Sequence, residues 1–374
     1  MNSQLTKDSL YDVIHRWTGV SKDVLLAAEI GPEELVESLK KNLYAQIVGQ
    51  DGPIGDICSL LETRLPMAQI EQLKRPIGVL YLVGSSGVGK TLAGKIIAET
   101  LTDGELTQID LGQITEAHQV TTLIGSPPSY IGYESGGLLT KDLLKRPYRT
   151  LLFDEADKTH PVITEKVLLP LLGEGFIQSG DGKIIDASRT IVIFTSNLGN
   201  FANLDDNNSV IGFGKINNNE DRNEKTKGAI ENQIPPTLRG RIDTFVIFNQ
   251  IDEDGAWEIA SRSLSKLSIQ LMRGNQKNIY RENIGDEQGV QIYLEEPVQK
   301  WIRKELGKTV LSEGARGVKK VVDKYLVEPI VSIWVKEGIN HGNKSKIAVS
   351  MQDGEFIYEI VPANTGQLER KNND

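Results

Sequence analysis

Residues 84–91 read Gly84-Ser85-Ser86-Gly87-Val88-Gly89-Lys90-Thr91, a complete GxxxxGK[ST] pattern. An apolar run, Gly78-Val79-Leu80-Tyr81-Leu82-Val83, precedes it and predicts a buried strand; Leu92 to Leu101 follows with helical composition. A strand, a glycine-rich loop and a helix in that order make a cradle for phosphate. The glycines let backbone N–H groups curl around an anion, and the helix N-terminus adds its dipole. In such a loop all of Gly84 to Thr91 line the phosphates. Lys90 reaches the β/γ-phosphates and Thr91 offers its hydroxyl to Mg²⁺. The pattern therefore predicts an α/β chain that binds ATP with Mg²⁺.

The rest of the chain fits that class. β-like runs at 78–83, 107–110, 150–153, 190–195 and 244–248 alternate with helical stretches, which predicts a parallel sheet covered by helices on both faces. Two short amphipathic helices are expected before it, at 8–17 and 32–45. From about Asp252 the pattern turns helical, over 254–273, 295–306 and 314–337. A hairpin, 345–350 and 356–361, is turned by Asp353-Gly354. The expected organisation is an N-terminal helical extension (1–40), a large α/β subdomain (41–250), a smaller, mainly helical C-terminal subdomain (251–361) and a polar tail (362–374). Between Asn200 and Lys227 the chain is crowded with Asn, Asp, Glu and Lys, a long loop of the kind that carries function or lacks order.

A second element supplies chemistry. Thr150-Leu151-Leu152-Phe153-Asp154-Glu155 is an apolar strand ending in two carboxylates. Beside a phosphate loop, Asp154 would reach Mg²⁺ and Glu155 would act on the attacking water as general base. Ile191-Val192-Ile193-Phe194-Thr195-Ser196-Asn197 is another buried strand, placing Asn197 where it could orient that water. Arg241 and Arg316 stand in loop-to-helix contexts. Either suits a transferring phosphoryl group, and either suits a structural ion pair or a helix-end cation.

Taken in order, these motifs resemble the AAA+ module of the Clp unfoldases, specifically the C-terminal ATPase ring of the ClpA, ClpB and ClpC type. The likeness runs from Trp17-Thr18-Gly19-Val20 and Ile47-Val48-Gly49-Gln50 through the phosphate loop to Leu123-Ile124-Gly125-Ser126-Pro127-Pro128-Ser129-Tyr130-Ile131-Gly132-Tyr133. It continues through Asp154-Glu155, His160-Pro161, Thr195-Ser196-Asn197-Leu198-Gly199, Gly240-Arg241-Ile242-Asp243 and Gly314-Ala315-Arg316. The resemblance implies that Ile47 and Val48 line the adenine pocket, Asn197 is sensor 1 and Arg316 is sensor 2. It makes Arg241 a finger reaching a neighbouring subunit, so that hydrolysis needs a ring, by family habit a homo-hexamer. Tyr130, with Ile131, matches the aromatic pore loop that grips a protein substrate, and residues 173–186 match a second pore loop. By itself Tyr130 fits the anchor of a turn as well as a grip.

Three departures stand out: Ser129 where the family usually has glycine, Gly240 where it usually has asparagine, and a 308–313 stretch lacking the usual aromatic and proline pattern. The chain is expected to lack a preceding ATPase ring, an adaptor-binding N-domain and a coiled-coil insertion, so substrate or adaptor recognition is expected from the N-terminal segment, the C-terminal tail or the pore.

Ile211-Gly212-Phe213 resembles the tripeptide with which Clp unfoldases dock into a ClpP-like peptidase, although the same residues also suit a local apolar anchor. The leading expectation is an ATP-dependent unfoldase and translocase feeding such a peptidase. The alternatives are a stand-alone remodelling or disaggregating chaperone, which shares the motor, and an ATP-switched scaffold, which an intact Asp154-Glu155 pair argues against.

Composition narrows the choice. A net charge of −9 weighs against a nucleic-acid motor. Cys58 is the single cysteine, which excludes an intrachain disulfide framework. The polar start and the lack of an apolar run near the roughly 20 residues that cross a bilayer predict a cytoplasmic protein without a membrane partner. Four scattered histidines, at 15, 118, 160 and 341, show no metal-ligand spacing.

Overall fold

Near-continuous apolar runs form strands buried on both faces, as a parallel sheet demands. The computed structural model describes residues 9–10, 12–13, 31–70, 74–128, 130, 136–197, 234–273, 290–337 and 345–362. Its strands up to residue 249 are β1 (Gly78–Val83), β2 (Leu106–Asp110), β3 (Arg149–Asp154), β4 (Phe176–Gln178), β5 (Ile184–Asp186), β6 (Thr190–Ser196) and β7 (Thr244–Ile247). Five of them make one parallel sheet in the order β2-β3-β6-β1-β7, while β4 and β5 pair as a separate hairpin. Every residue of β1 and of β6 is buried.

The order places the phosphate loop. From β1 the chain crosses to β2 at the sheet's edge, works back through β3 and β6, and then lands on the other side of β1 as β7. Connections therefore diverge beside β1, and a crevice opens at the carboxyl ends of the strands there. Gly84 begins at that end. Aromatic rings fix the register across four strands: Phe153 to Phe194 at 5.3 Å, Phe194 to Tyr81 at 5.7 Å and Tyr81 to Phe245 at 5.5 Å. A one-residue slip would send each ring to the opposite face. Burial pushes the Tyr81 hydroxyl up to about 12.

Helices cover this sheet. They are α1 (Pro32–Gln46), α2 (Asp51–Ile70), α3 (Lys90–Leu101), α4 (Leu138–Lys145) and α5 (Leu169–Glu174). Asn42 on α1 donates to Thr100 on α3 at 3.0 Å, and Val36, Leu39 and Leu43 of α1 are core residues. The boundary expected at residue 40 thus falls inside α1, whose apolar stripe belongs to the first unit. Cys58 is buried in α2, and burial pushes its thiol up to about 11.

The chain divides into two units at 249/250. The second contains α6 (Glu253–Arg273), β8 (Gln291–Leu294), α7 (Glu296–Val322), α8 (Glu328–Glu337), β9 (Ser345–Gln352) and β10 (Glu355–Pro362). The β9–β10 hairpin turns at Asp353 and Gly354, both at positive φ, and β8 adds to β9 in parallel. The sequence pattern leaves 307–313 outside helix; in the structure α7 runs through it and kinks at Gly314 (φ 59°, ψ −145°). A π turn at Asp323–Val327 precedes Pro329, which has no N–H for the carbonyl of Tyr325. The Tyr358 hydroxyl donates to that carbonyl at 2.7 Å.

Candidate functional site

The loop after β1 turns on glycines that no other residue replaces easily. Gly89 sits at φ 110°, and a Cβ on Gly84 would lie 3.0 Å from the Cβ and the carbonyl oxygen of Phe248. No side chain caps the first turn of α3, so the helix opens directly onto the loop. Lys90 is buried, and its ammonium donates to the carbonyls of Gly84 (2.8 Å) and Ser85 (2.7 Å) and to Oδ1 of Asn197 (3.0 Å). A backbone cradle with a buried cation beneath it suits the phosphates of a nucleotide.

Carboxylates meet that cradle from β3. Asp154 accepts from the Thr91 hydroxyl at 3.0 Å and the Thr195 hydroxyl at 2.8 Å on one oxygen, and from Gln108 Nε2 at 2.6 Å on the other. Thr91 and Asp154 form a hard-oxygen pair that suits Mg²⁺. The Glu155 N–H donates to the Thr195 hydroxyl at 3.4 Å. Glu155 itself is left-handed (φ 57°, ψ 45°) and accepts from Lys158 Nζ at 2.7 Å. The other described non-glycine residues at positive φ, Asp103 and Asp353, each precede a glycine in a turn. A left-handed glutamate without such a turn costs about 1 kcal/mol, strain of the sort that collects at working sites. Asp157 accepts from the Ser196 hydroxyl (2.8 Å) and the Asn197 N–H (3.3 Å), which aims Asn197 at Lys90.

The residues expected to face the base stand close to the loop. Ile47 and Val48 are both buried, and Ile47 Cγ2 lies 3.5 Å from the position a Cβ on Gly89 would take. The Gln50 amide bonds the Asn249 backbone in both directions, at 2.9 and 2.8 Å, and so fixes this segment to the end of the first unit.

Arg241 lies elsewhere. The Asp243 N–H bonds the Val79 carbonyl, at the start of β1, and β7 then runs parallel to β1 toward Gly84. Five residues of strand, about 16 Å at ~3.3 Å each, separate Arg241 from its own phosphate loop. Its Nη1 donates to the Thr237 carbonyl, and its buried Nε packs on Gly173 without a hydrogen-bond partner among the described residues. Asp243 anchors this corner: it is nearly buried, pairs with Arg64 and Arg75, and accepts from the Val79 N–H at 2.9 Å. Asp243→Ala is expected to cost about 3 kcal/mol, because two arginines and an amide lose one acceptor. Urea unfolding measures it, and a loss under 1 kcal/mol would refute the anchor. Gly240 adopts an ordinary right-handed conformation with no atom nearer than 3.9 Å to a Cβ there, so its departure from the family pattern leaves Arg241 undisturbed.

Tyr130 is 70% exposed. Its loop leaves and returns through Gly125 and Gly137, where a Cβ on Gly125 would lie 3.1 Å from the Gly137 nitrogen. The Gly180 N–H, on the turn between β4 and β5, donates to the Ile124 carbonyl at 2.9 Å and ties that hairpin to the same base. Arg316 is exposed on α7 in the second unit. His160 Nδ1 accepts from the Val162 N–H at 3.2 Å and so caps a helix. Ile131 and the Ile211-Gly212-Phe213 tripeptide lie outside the described residues.

Residues 75–245 match the AAA domain (Cdc48 subfamily) family. The chain is 29% identical over 365 residues to "Negative regulator of genetic competence ClpC/MecB" of Bacillus subtilis, covering 96% of this chain and 42% of that protein. It is 30% identical over 359 residues to "Chaperone protein ClpB" of Staphylococcus epidermidis, covering 96% and 38%, and 27% identical over 372 residues to the ClpB of Rhodopseudomonas palustris, covering 98% and 38%. This chain is a Clp-type AAA+ ATPase module. It spans about two fifths of the length of these curated relatives. As an AAA+ ATPase module it binds nucleotide, and the parallel sheet with its helices is the fold of that class. Among the described residues, no helix is long and apolar enough to cross a membrane. Thr195, Gln108, Gln50 and Lys158 carry no role in the sequence reading. Thr195 was the most accessible of them, because it ends the same apolar strand as Asn197.

Proposed function

We propose that the chain is the ATP-driven motor of a homo-oligomeric ring that unfolds protein substrates by drawing them through a central pore. The single observation that carries this reading is the placement of Arg241. Lys90, Thr91, Asp154, Glu155 and Asn197 gather around one phosphate loop, whereas Arg241 sits at the far end of the strands, beyond an arginine's reach. A site that needs an arginine must then take it from a neighbouring copy, which makes a closed ring the natural assembly.

Within each site the loop amides and Lys90 hold the β- and γ-phosphates of ATP, Thr91 and Asp154 hold Mg²⁺, and Ile47 and Val48 face the base. Bound Mg²⁺ supplies charge neutralisation to the phosphates. Thr195 sets Asp154 and Glu155 side by side. Glu155 takes the proton from water and Asn197 orients that water, while the sensor-2 role of Arg316 rests on its Gly314-Ala315-Arg316 motif alone. Tyr130 grips polypeptide because an exposed ring on a pinched loop offers apolar area at small entropic cost. The β4–β5 hairpin, tied to the same base, moves with it.

Delivery to a ClpP-like peptidase rests on the sequence Ile211-Gly212-Phe213 alone. A stand-alone remodelling chaperone is the second reading, favoured by the name "Chaperone protein ClpB" that several relatives carry. One assay separates them: unfolding of a tagged fluorescent protein, with and without a ClpP-type peptidase. Tyr130→Ala should lower unfolding at least tenfold while ATP hydrolysis continues, and normal unfolding would end the grip assignment. Phe213→Ala should abolish degradation alone; degradation that never occurs in the wild type favours the remodeller.

A further inference from the structure

Arg241 is held at two points by neighbours outside the phosphate cradle. At its backbone, Arg75 Nη2 donates to the Arg241 carbonyl at 3.1 Å and to Asp243 Oδ1 at 2.8 Å. At its side chain, Nη1 donates to the Thr237 carbonyl. A Cβ on Gly173 would come 2.9 Å from Nε, 3.6 Å from Nη2 and 3.7 Å from Cζ, so the guanidinium occupies room that only a glycine leaves. Two residues on, Gly175 (φ 66°) closes the circle: a Cβ there would come 3.1 Å from the Cα and the nitrogen of Arg75. The end of α5 thus backs both the arginine and the residue that grips its carbonyl.

We propose that Arg75 and Gly173 are positioning residues for the arginine that this subunit hands to its neighbour: Arg75 fixes its backbone, and Gly173 leaves the seat of its guanidinium. The inference rests on reading Arg241 as an arginine supplied in trans. A guanidinium carries five N–H donors in a rigid fork. Among the described residues only Nη1 of that fork has a protein partner, so one corner is tied down and Nη2 is left for a second acceptor. An arginine aimed at developing charge helps most when it is already in place, because turning it during the reaction would cost what the contact gains. Arg75 stands just before β1, so the strand that carries the phosphate loop at one end holds the carbonyl of Arg241 near the other. Gly173 has no positive φ, so alanine suits its backbone. The flexible end of Arg241, rather than the helix, is what an added methyl would displace.

The test is steady-state ATP hydrolysis by the full chain, alone and in mixtures of variant subunits. Gly173→Ala should lower kcat by about ten- to a hundredfold, the loss that a misplacement of ~1 Å produces. Nucleotide affinity should stay unchanged, and the midpoint of urea unfolding should be no lower than wild type. Arg75→Ala should lower kcat in the same way, and Arg75→Lys, which keeps a donor for the Arg241 carbonyl, should restore part of it. Mixed with Glu155→Gln subunits, Gly173→Ala subunits should regain turnover, because an intact Glu155 then faces a well-seated Arg241. Mixed with Arg241→Ala subunits they should gain nothing, because neither parent supplies a seated arginine. A merely structural defect would not sort by partner in this way. Wild-type kcat in Gly173→Ala, or recovery with Arg241→Ala subunits, overturns the proposal. So does a lack of recovery with Glu155→Gln subunits when Arg241→Ala and Glu155→Gln subunits do rescue each other. If that last pair stays inactive, the reading of Arg241 as an arginine supplied in trans falls, and the proposal with it.

Discussion

Arg241→Ala is expected to lower ATP turnover by about 10³-fold while leaving nucleotide affinity close to wild type. An arginine delivered to the transferring phosphoryl group is worth roughly 10³–10⁵ in rate, because it meets charge that develops in the transition state. Affinity should survive, since the strand geometry keeps Arg241 about 16 Å from its own phosphate loop. That geometry permits a sharper experiment. Mixing Arg241→Ala subunits with Glu155→Gln subunits creates interfaces where an intact Glu155 faces an intact Arg241. Each variant alone should be nearly inactive, and the mixture should recover a measurable fraction of wild-type turnover. A mixture as inactive as its parents would remove Arg241 from the neighbouring site.

Glu155→Gln is the second large effect. General-base catalysis is typically worth 10²–10⁴-fold, and the amide keeps the carboxylate's shape while losing its proton affinity. Single-turnover hydrolysis should fall by about that factor. ATP binding should persist, because Lys90, Thr91 and Asp154 are untouched and Asp154 remains tied to Thr195 and Gln108. Hydrolysis reduced less than about tenfold would move the base elsewhere.

Much of the architecture was legible because it rests on local patterns. β-like runs of four to six residues announced the five strands of the main sheet, and the glycine-lysine-threonine spacing announced the cradle. What stayed hidden depends on contacts between distant segments. Periodicity shows that β7 exists but not that it lies beside β1, and the separation of Arg241 from Gly84 follows only from that pairing. The helical pattern stops at residue 306, yet Gly307 lies within α7, where a Cβ would come 2.9 Å from Glu253 Oε1, so glycine lets α6 and α7 approach. The four-residue strand β8 is too short to show alternation of its own. Glu155 was identifiable as a carboxylate after a strand, while its left-handed backbone belongs to tertiary structure. The Ile211–Phe213 tripeptide and Ile131 lie outside the described residues, so their roles rest on the sequence.

The buried Cys58 has a practical consequence for labelling this protein. Maleimides and disulfide probes react with thiolate, and a lone thiol pushed up to about 11 inside α2 presents almost none at neutral pH. A cysteine introduced on the surface therefore takes up a fluorophore or spin label selectively, without first engineering the native thiol away.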